Sequence, residues 1–215
     1  MPIILDHLVP IPLKDRLLQG RSDIWNTHIR FDDGERIKVM APSGKGKTTF
    51  VHILYHMRFD YEGTVWVENK QSDNISRDEL SQLRQKKVSI IFQDLRLFPQ
   101  LSARENIEIK RVMQEPFHTS SRIDEMAEQL GIQHILSQKA GLCSYGEQQR
   151  IAIIRSLMQP FSWLIMDEPF SHLDTTNIQK AVSLIEEECS RRNAGFILTD
   201  LDADTHFPYS RKLNL

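Results

Sequence analysis

Arg36-Ile37-Lys38-Val39-Met40-Ala41-Pro42-Ser43-Gly44-Lys45-Gly46-Lys47-Thr48-Thr49 runs from a short apolar strand through a glycine-lysine turn into a helix starting near Lys47. From Ala41 onward it fits the phosphate-loop pattern at every fixed position except the first, where alanine replaces glycine. The backbone carries the chemistry of such a loop. Gly44 and Gly46 let amide N–H groups turn inward toward phosphate oxygens, and the helix start adds its dipole. Lys47 reaches the terminal phosphates and Thr48 ligates Mg2+, so Ser43, Gly44, Lys45, Gly46, Lys47, Thr48 and Thr49 are the candidate phosphate-binding residues. A positive φ at Ala41 would cost roughly 1 to 2 kcal/mol through its β-carbon, so a negative φ is expected there.

Outward from this unit, further strands are expected at Thr64 to Glu68, Val88 to Phe92, Trp163 to Met166 and Phe196 to Thr199, with helices between most of them. That alternation favours a parallel sheet with helices packed over it. From Phe98 to Leu142 the pattern turns helical, with Ile123, Met126, Ala127 and Leu130 at helix spacing before Gly131 and a loop at Pro116 to Ser121. This reads as an inserted helical subdomain. Arg211 to Leu215 reads as a final short strand with no regulatory extension, the end of a minimal unit.

A chain of 215 residues at 40% hydrophobic content fits one sizeable domain. The net charge of -2 gives no basic field that would argue for nucleic acid as a partner. Apolar runs such as Val88 to Phe92 are too short to cross a bilayer, and the N-terminus lacks the features of a secretory signal, so a cytosolic chain is expected. Cys143 and Cys189 match no metal knuckle. Cys143 borders a predicted helix start, where the dipole would make a thiol reactive; the competing reading is a small apolar filler.

Asp167 ends the apolar run Trp163-Leu164-Ile165-Met166, which puts its carboxylate at the carboxyl edge of the sheet near the Mg2+. Glu168, next in line, holds the attacking water as general base, a role that contributes about 10² to 10⁴ in rate. Three more segments stand in order around this pair: Ile90-Ile91-Phe92-Gln93-Asp94, Cys143-Ser144-Tyr145-Gly146-Glu147 and Ser171-His172-Leu173-Asp174.

Together these motifs resemble the nucleotide-binding subunit of ATP-binding cassette (ABC) transporters, from about Ile24 to Asp204. The fold so implied is α/β, a P-loop NTPase parallel-sheet core with a helical subdomain (about 98–158) inserted in it. A small N-terminal antiparallel β part completes one ABC ATP-binding domain spanning 1–215. The resemblance implies that Gln93 touches Mg2+ and the attacking water, joining Glu168 as a catalytic residue and Thr48 and Asp167 as metal ligands. It further implies that Ser144 and Gly146 face the ATP held by a second ABC subunit, identical or different, and that Asp174 reaches across the same interface. Arg96 to Gln100 would dock an integral-membrane permease, placing the chain in the cytoplasm and peripherally on the inner face of the cell membrane. The context of Gln93 is most similar to small exporter-type, lipoprotein-release and cell-division-associated cassettes. The function implied is ATP binding and hydrolysis that drives or gates a transmembrane partner; the alternative is a regulatory switch on a membrane or cell-wall partner, without transport.

Three departures qualify the resemblance. No switch histidine follows the last core strand: in Ile197-Leu198-Thr199-Asp200-Leu201 either Asp200 substitutes for it or one residue is deleted, and His206 reads as a surface residue. An ionised Asp200 beside the γ-phosphate would repel it, and losing one preorganised donor costs about 10² to 10³ in turnover, so slow hydrolysis is expected. Tyr145 replaces a signature glycine and is expected to point outward as surface packing in preference to stacking at the dimer interface. Residues 1–24 contain no Phe, Tyr or Trp to stack on adenine, leaving His7 as the weak candidate, while Trp25 is expected to begin a strand within the core.

Overall fold

The computed structural model describes residues 1–17, 21–201 and 203–215. Its elements are β1 (Ile3–Pro10), α1 (Lys14–Leu17), β2 (His28–Phe31), β3 (Arg36–Met40), α2 (Lys47–Leu54), β4 (Tyr61–Val67), β5 (Lys70–Gln71) and α3 (Arg77–Lys86). There follow β6 (Val88–Ile91), α4 (Ala103–Val112), α5 (Ser121–Gln129), α6 (Tyr145–Leu157), β7 (Trp163–Asp167), α7 (Thr175–Arg192), β8 (Gly195–Asp200) and β9 (Arg211–Asn214).

Two sheets result. The parallel sheet runs β6-β7-β8-β3-β9 and the antiparallel one β2-β1-β4-β5. β7 lies between β6 and β8 with all five residues buried, which is why it reads as an unbroken apolar run up to Asp167. The segment expected as a strand at Thr64 to Glu68 is part of β4 and leaves the parallel alternation: it pairs antiparallel with β1, Leu5 opposite Val65 and Ile3 opposite Val67. Only its alternate residues Val65 and Val67 are buried, the pattern of a strand with one face on the core. Trp25 is core as expected but lies outside any strand; β2 begins at His28, and the indole meets Phe50 of α2 edge-on at 5.8 Å.

Between β6 and β7 the chain is helical. Ser102 and Glu105 form a reciprocal capping box that starts α4, and Ile123, Met126 and Ala127 of α5 are buried at the predicted spacing. These helices share one apolar cluster with the sheet, running from Ile107 and Met126 through Ile151 and Leu157 to Met166 and Leu198. A buried ion network fixes α7 beside them. Glu188 is fully buried and accepts from Arg122 Nη2 at 2.7 Å, lies 2.8 Å from His118 Nε2, and pairs with Arg192. Burial alone would raise its carboxyl, yet hydrogen bonds from His118, Arg192 and Arg122 hold it far below the usual range. Among the described residues no helix is long and apolar enough to cross a membrane.

Candidate functional site

The site begins where β3 ends. Ala41 is buried, its N–H donates to Asp200 O at 3.2 Å, and it is absent from the residues with positive φ, so its β-carbon carries no strain. Gly44 and Gly46 adopt φ of +77° and +99°, which only glycine takes without cost. A β-carbon at Gly46 would also come within 2.6 Å of Leu13 Cδ1, so that leucine side chain would have to shift. Gly46 occupies the N-cap position of α2 and supplies no side-chain cap, which leaves the first N–H groups of the helix without a side-chain partner from that position. Because Ala41 has no strain to relieve, Ala41→Gly is expected to leave ATP affinity within about twofold of the parent in a calorimetric titration. A large gain would contradict this geometry.

Lys47, at 6% exposure, threads back across the loop. Its Nζ donates to Ala41 O at 2.8 Å and Pro42 O at 3.3 Å, and stands 3.3 Å from Glu168 Oε1. Gln93 Nε2 donates to Glu168 Oε2 at 3.1 Å, and Thr48 Oγ1 donates to Gln93 Oε1 at 3.5 Å. Below them Asp167, buried at the end of β7, accepts from Thr199 Oγ1 at 2.7 Å. Glu168 turns out of the strand with φ of +47°, its N–H held by Thr199 O at 3.0 Å. Ser43, Gly44, Gly46, Lys47, Thr48, Thr49, Gln93 and Glu168 thus line one cavity of about 240 Å³; Lys45 lines its neighbour.

Ser144, Gly146 and Asp174 stand outside that cavity. Ser144 caps α6 in a reciprocal box with Glu147, whose Oε2 accepts from Ser144 N at 2.8 Å. A β-carbon on Gly146 would press His172 O at 3.0 Å, so glycine here permits close approach of the Ser171–Asp174 segment. Asp174 caps α7, accepting from Asn177 N at 2.8 Å; that hydrogen bond lowers its carboxyl pKa. Tyr145 is exposed, as expected of surface packing. On that surface its ring packs 4.1 Å from His172, centroid to centroid, and its hydroxyl donates to Gln93 O at 3.4 Å, joining three motif segments. The reactive reading of Cys143 fails, since burial and then Glu147 push its thiol pKa up.

Sequence reasoning passed over Arg155. From α6 its guanidinium donates to the carbonyls of Leu95 and Arg96, the latter at 2.6 Å. Those two residues carry φ of +57° and +48°, each costing about 1 to 2 kcal/mol for a residue with a β-carbon. Arg155 therefore clamps a strained turn directly behind Gln93.

Asp200 departs from expectation as well. It ends β8, but its Oδ2 accepts from Lys38 Nζ at 3.0 Å and it does not line the phosphate cavity. Lys38, fully buried in β3, also pairs with Asp204, which accepts from Tyr209 OH at 2.7 Å. Asp200 thus shares one cation with Asp204, and it pairs with Lys38 instead of lining the phosphate cavity where the expected repulsion would act. A lysine between buried Ile37 and Val39 was the available signal, because a lysine is almost never fully buried unless paired. His206 is exposed, and His7 pairs with Asp6 in β1, lining neither the phosphate cavity nor its neighbour.

A family model described as ABC transporter matches residues 24–171. The lipoprotein-releasing system ATP-binding protein LolD of Aquifex aeolicus is 32% identical over 171 residues, covering 79% of this chain and 76% of the relative. The glucose import ATP-binding protein GlcV of Saccharolobus solfataricus is 31% identical over 179 residues, 82% of this chain and 50% of the relative. The macrolide export ATP-binding/permease protein MacB of Marinobacter nauticus is 32% identical over 173 residues, 80% of this chain but 27% of the relative. The chain therefore spans about half the length of GlcV and about a quarter of MacB. In structure it is similar to the ATP-binding cassette MJ0796, solved as a dimeric post-hydrolysis state bound to ADP and Pi. The TM-score is 0.79 at 23% identity over 93% of this chain and 88% of that one, a likeness of fold. With a glycine-built phosphate loop, a carboxylate pair at a strand end, a capped signature helix and a family match that spans all three, this chain belongs to the ABC transporter family.

Proposed function

We propose that the chain binds MgATP, dimerises on it, hydrolyses it slowly and so drives or gates a transmembrane partner. The carrying observation is the linked set Lys47, Glu168, Gln93 and Thr48, which gathers a phosphate ligand, a base and a water-orienting amide from three separate segments. Glu168 takes the proton of the attacking water while Gln93 orients that water, and Lys47 with the α2 N–H groups holds the phosphates. The Thr48 hydroxyl, Gln93 amide oxygen and Asp167 carboxylate are hard oxygen donors that suit Mg2+. Among the described residues no group of three or more His, Cys, Asp or Glu forms a metal cluster, so phosphate and water would complete the shell. When bound, the ion neutralises charge between the β- and γ-phosphates.

The second half of the site is proposed to come from another ABC subunit, identical or different, whose Ser144 and Gly146 meet the γ-phosphate while Asp174 orders the opposing loop. Support comes from the exposure of Ser144 and Asp174 at helix N-termini, where anions are favoured. A permease docking at Arg96 to Gln100 would hold the chain peripherally at the membrane. Phe98 lies exposed there, on a turn braced by Asn106, whose Oδ1 accepts from Phe98 N at 2.8 Å. With Asp200 turned to Lys38, no imidazole donor serves the γ-phosphate from that position, which supports slow turnover. A long-lived ATP-bound pair also suits the alternative of a regulatory switch without transport. Light scattering on Glu168→Gln is the test: MgATP is expected to double the mass, and a persistent monomer would count against the reading.

A further inference from the structure

The segment after Gln93 is strained. Arg96 N donates to Asp94 O at 2.6 Å and closes a three-residue turn about Leu95, whose φ of +57° is the disfavoured hand of such a turn. Arg96 follows at +48°, a second value that a β-carbon opposes. Two such residues in succession persist only where their surroundings over-determine them. Here one helix does so. Tyr145, the first residue of α6, donates to Gln93 O at 3.4 Å, and Arg155, in its last turn, donates to Leu95 O and to Arg96 O, the latter at 2.6 Å.

Both Nη atoms of Arg155 are committed to main-chain carbonyls, so its planar fork fixes two neighbouring peptides as the point charge of a lysine would not. Burial draws its pKa down to about 10, which still leaves it charged at neutral pH. Hydrogen bonds from a charged donor are roughly twice as strong as neutral ones. Only Asp94 separates the first held residue, Leu95, from Gln93, and the Gln93 side chain donates to Glu168 Oε2 at 3.1 Å. We propose that Arg155 is a positioning residue for ATP hydrolysis: through the strained turn at Leu95 and Arg96 it holds the Gln93 amide on the carboxylate of Glu168. The inference rests on the reading of Gln93 and Glu168 as the hydrolytic pair.

Single-turnover measurements on the full chain at saturating MgATP, with ATP affinity from titration calorimetry, test this. A misplacement of about 1 Å in a catalytic site costs up to about 10²-fold, so Arg155→Met is expected to slow turnover by about 10-fold to 10²-fold. ATP affinity is expected to stay within about twofold, because Lys47 and the phosphate loop are untouched. Arg155→Lys keeps the charge without the fork and is expected to stay at least about threefold slower than the parent. Arg96 is exposed, so glycine there removes backbone strain without opening the core. Arg155→Met/Arg96→Gly is therefore expected to regain at least about threefold over Arg155→Met. Turnover of Arg155→Met within about twofold of the parent overturns the proposal. A parallel loss of turnover and affinity that the glycine does not repair also overturns it, since that is the signature of a general structural role. A parent that binds no ATP removes the underlying reading of the site, and the proposal with it.

Discussion

Glu168→Gln is expected to cut ATP turnover by about 10² to 10⁴-fold while nucleotide binding survives. The size follows from what the residue alone supplies. Its carboxylate stands 3.3 Å from Lys47 Nζ and accepts from Gln93 Nε2, the two side chains that the proposed function assigns to phosphate and water. The backbone enforces that position with φ of +47°, a strained value for a residue with a β-carbon, held by the Thr199 carbonyl on its N–H. Glutamine has the same shape and still accepts from Gln93, but it cannot take a proton. Single-turnover measurements at saturating MgATP make the comparison, since parental turnover is itself expected to be slow. A variant within tenfold of the parent would move the base elsewhere.

Lys38→Met is expected to destabilise the fold by about 3 kcal/mol, read as a fall in the urea midpoint. Removing one member of a buried ion pair commonly costs about 3 to 5 kcal/mol, because the partner is left charged and unpaired. The lower end applies here, since the side chains of Asp200 and Asp204 keep 30% and 13% of their exposure and water still reaches them. Asp204 also fixes the pH dependence. Burial alone would raise its carboxyl, but hydrogen bonds from Lys38 and Tyr209 prevail and hold its pKa below the ordinary 3.8. A carboxyl depressed in the folded state contributes stability above its unfolded pKa and loses it as pH falls through the folded value. The gap between parent and variant should therefore be full near neutrality and close as pH drops below about 4. Adding Asp204→Asn to Lys38→Met should restore part of the loss, since one orphaned charge is gone. A Lys38→Met midpoint equal to the parent's would mean that the cluster is not structural.

The parts of the site legible in the sequence are those dictated locally. Gly44 and Gly46 were readable because their backbone angles exclude other residues, and Asp167 because it ends an apolar run that only a buried strand tolerates. The helical stretch between β6 and β7 was readable from spacing, since Ile123, Met126 and Ala127 recur at the period of a helix. Pairing partners were not. Thr64 to Glu68 has the composition of a strand, but composition does not state whether the neighbour is β1 or the parallel sheet.

Side-chain direction was the larger loss. Tyr145 is surface packing as expected, but its partners, His172 and the Gln93 carbonyl 52 residues away in sequence, were not legible. Arg155 gave no signal as a helix-face arginine; its role exists only because α6 passes behind the turn at Leu95 and Arg96. Asp200 meets Lys38 across 162 residues of chain.

By itself, then, the sequence determined the phosphate loop, the strands of the parallel sheet and the family, because glycine torsions, apolar periodicity and motif spacing are constraints that act within a few residues. The tertiary structure alone decided that Asp200 pairs with Lys38 and that Tyr145 ties three motifs together. Hydrogen bonds and ion pairs depend on separations of about 3 Å between groups remote in sequence, and those separations are set only when the sheets pack.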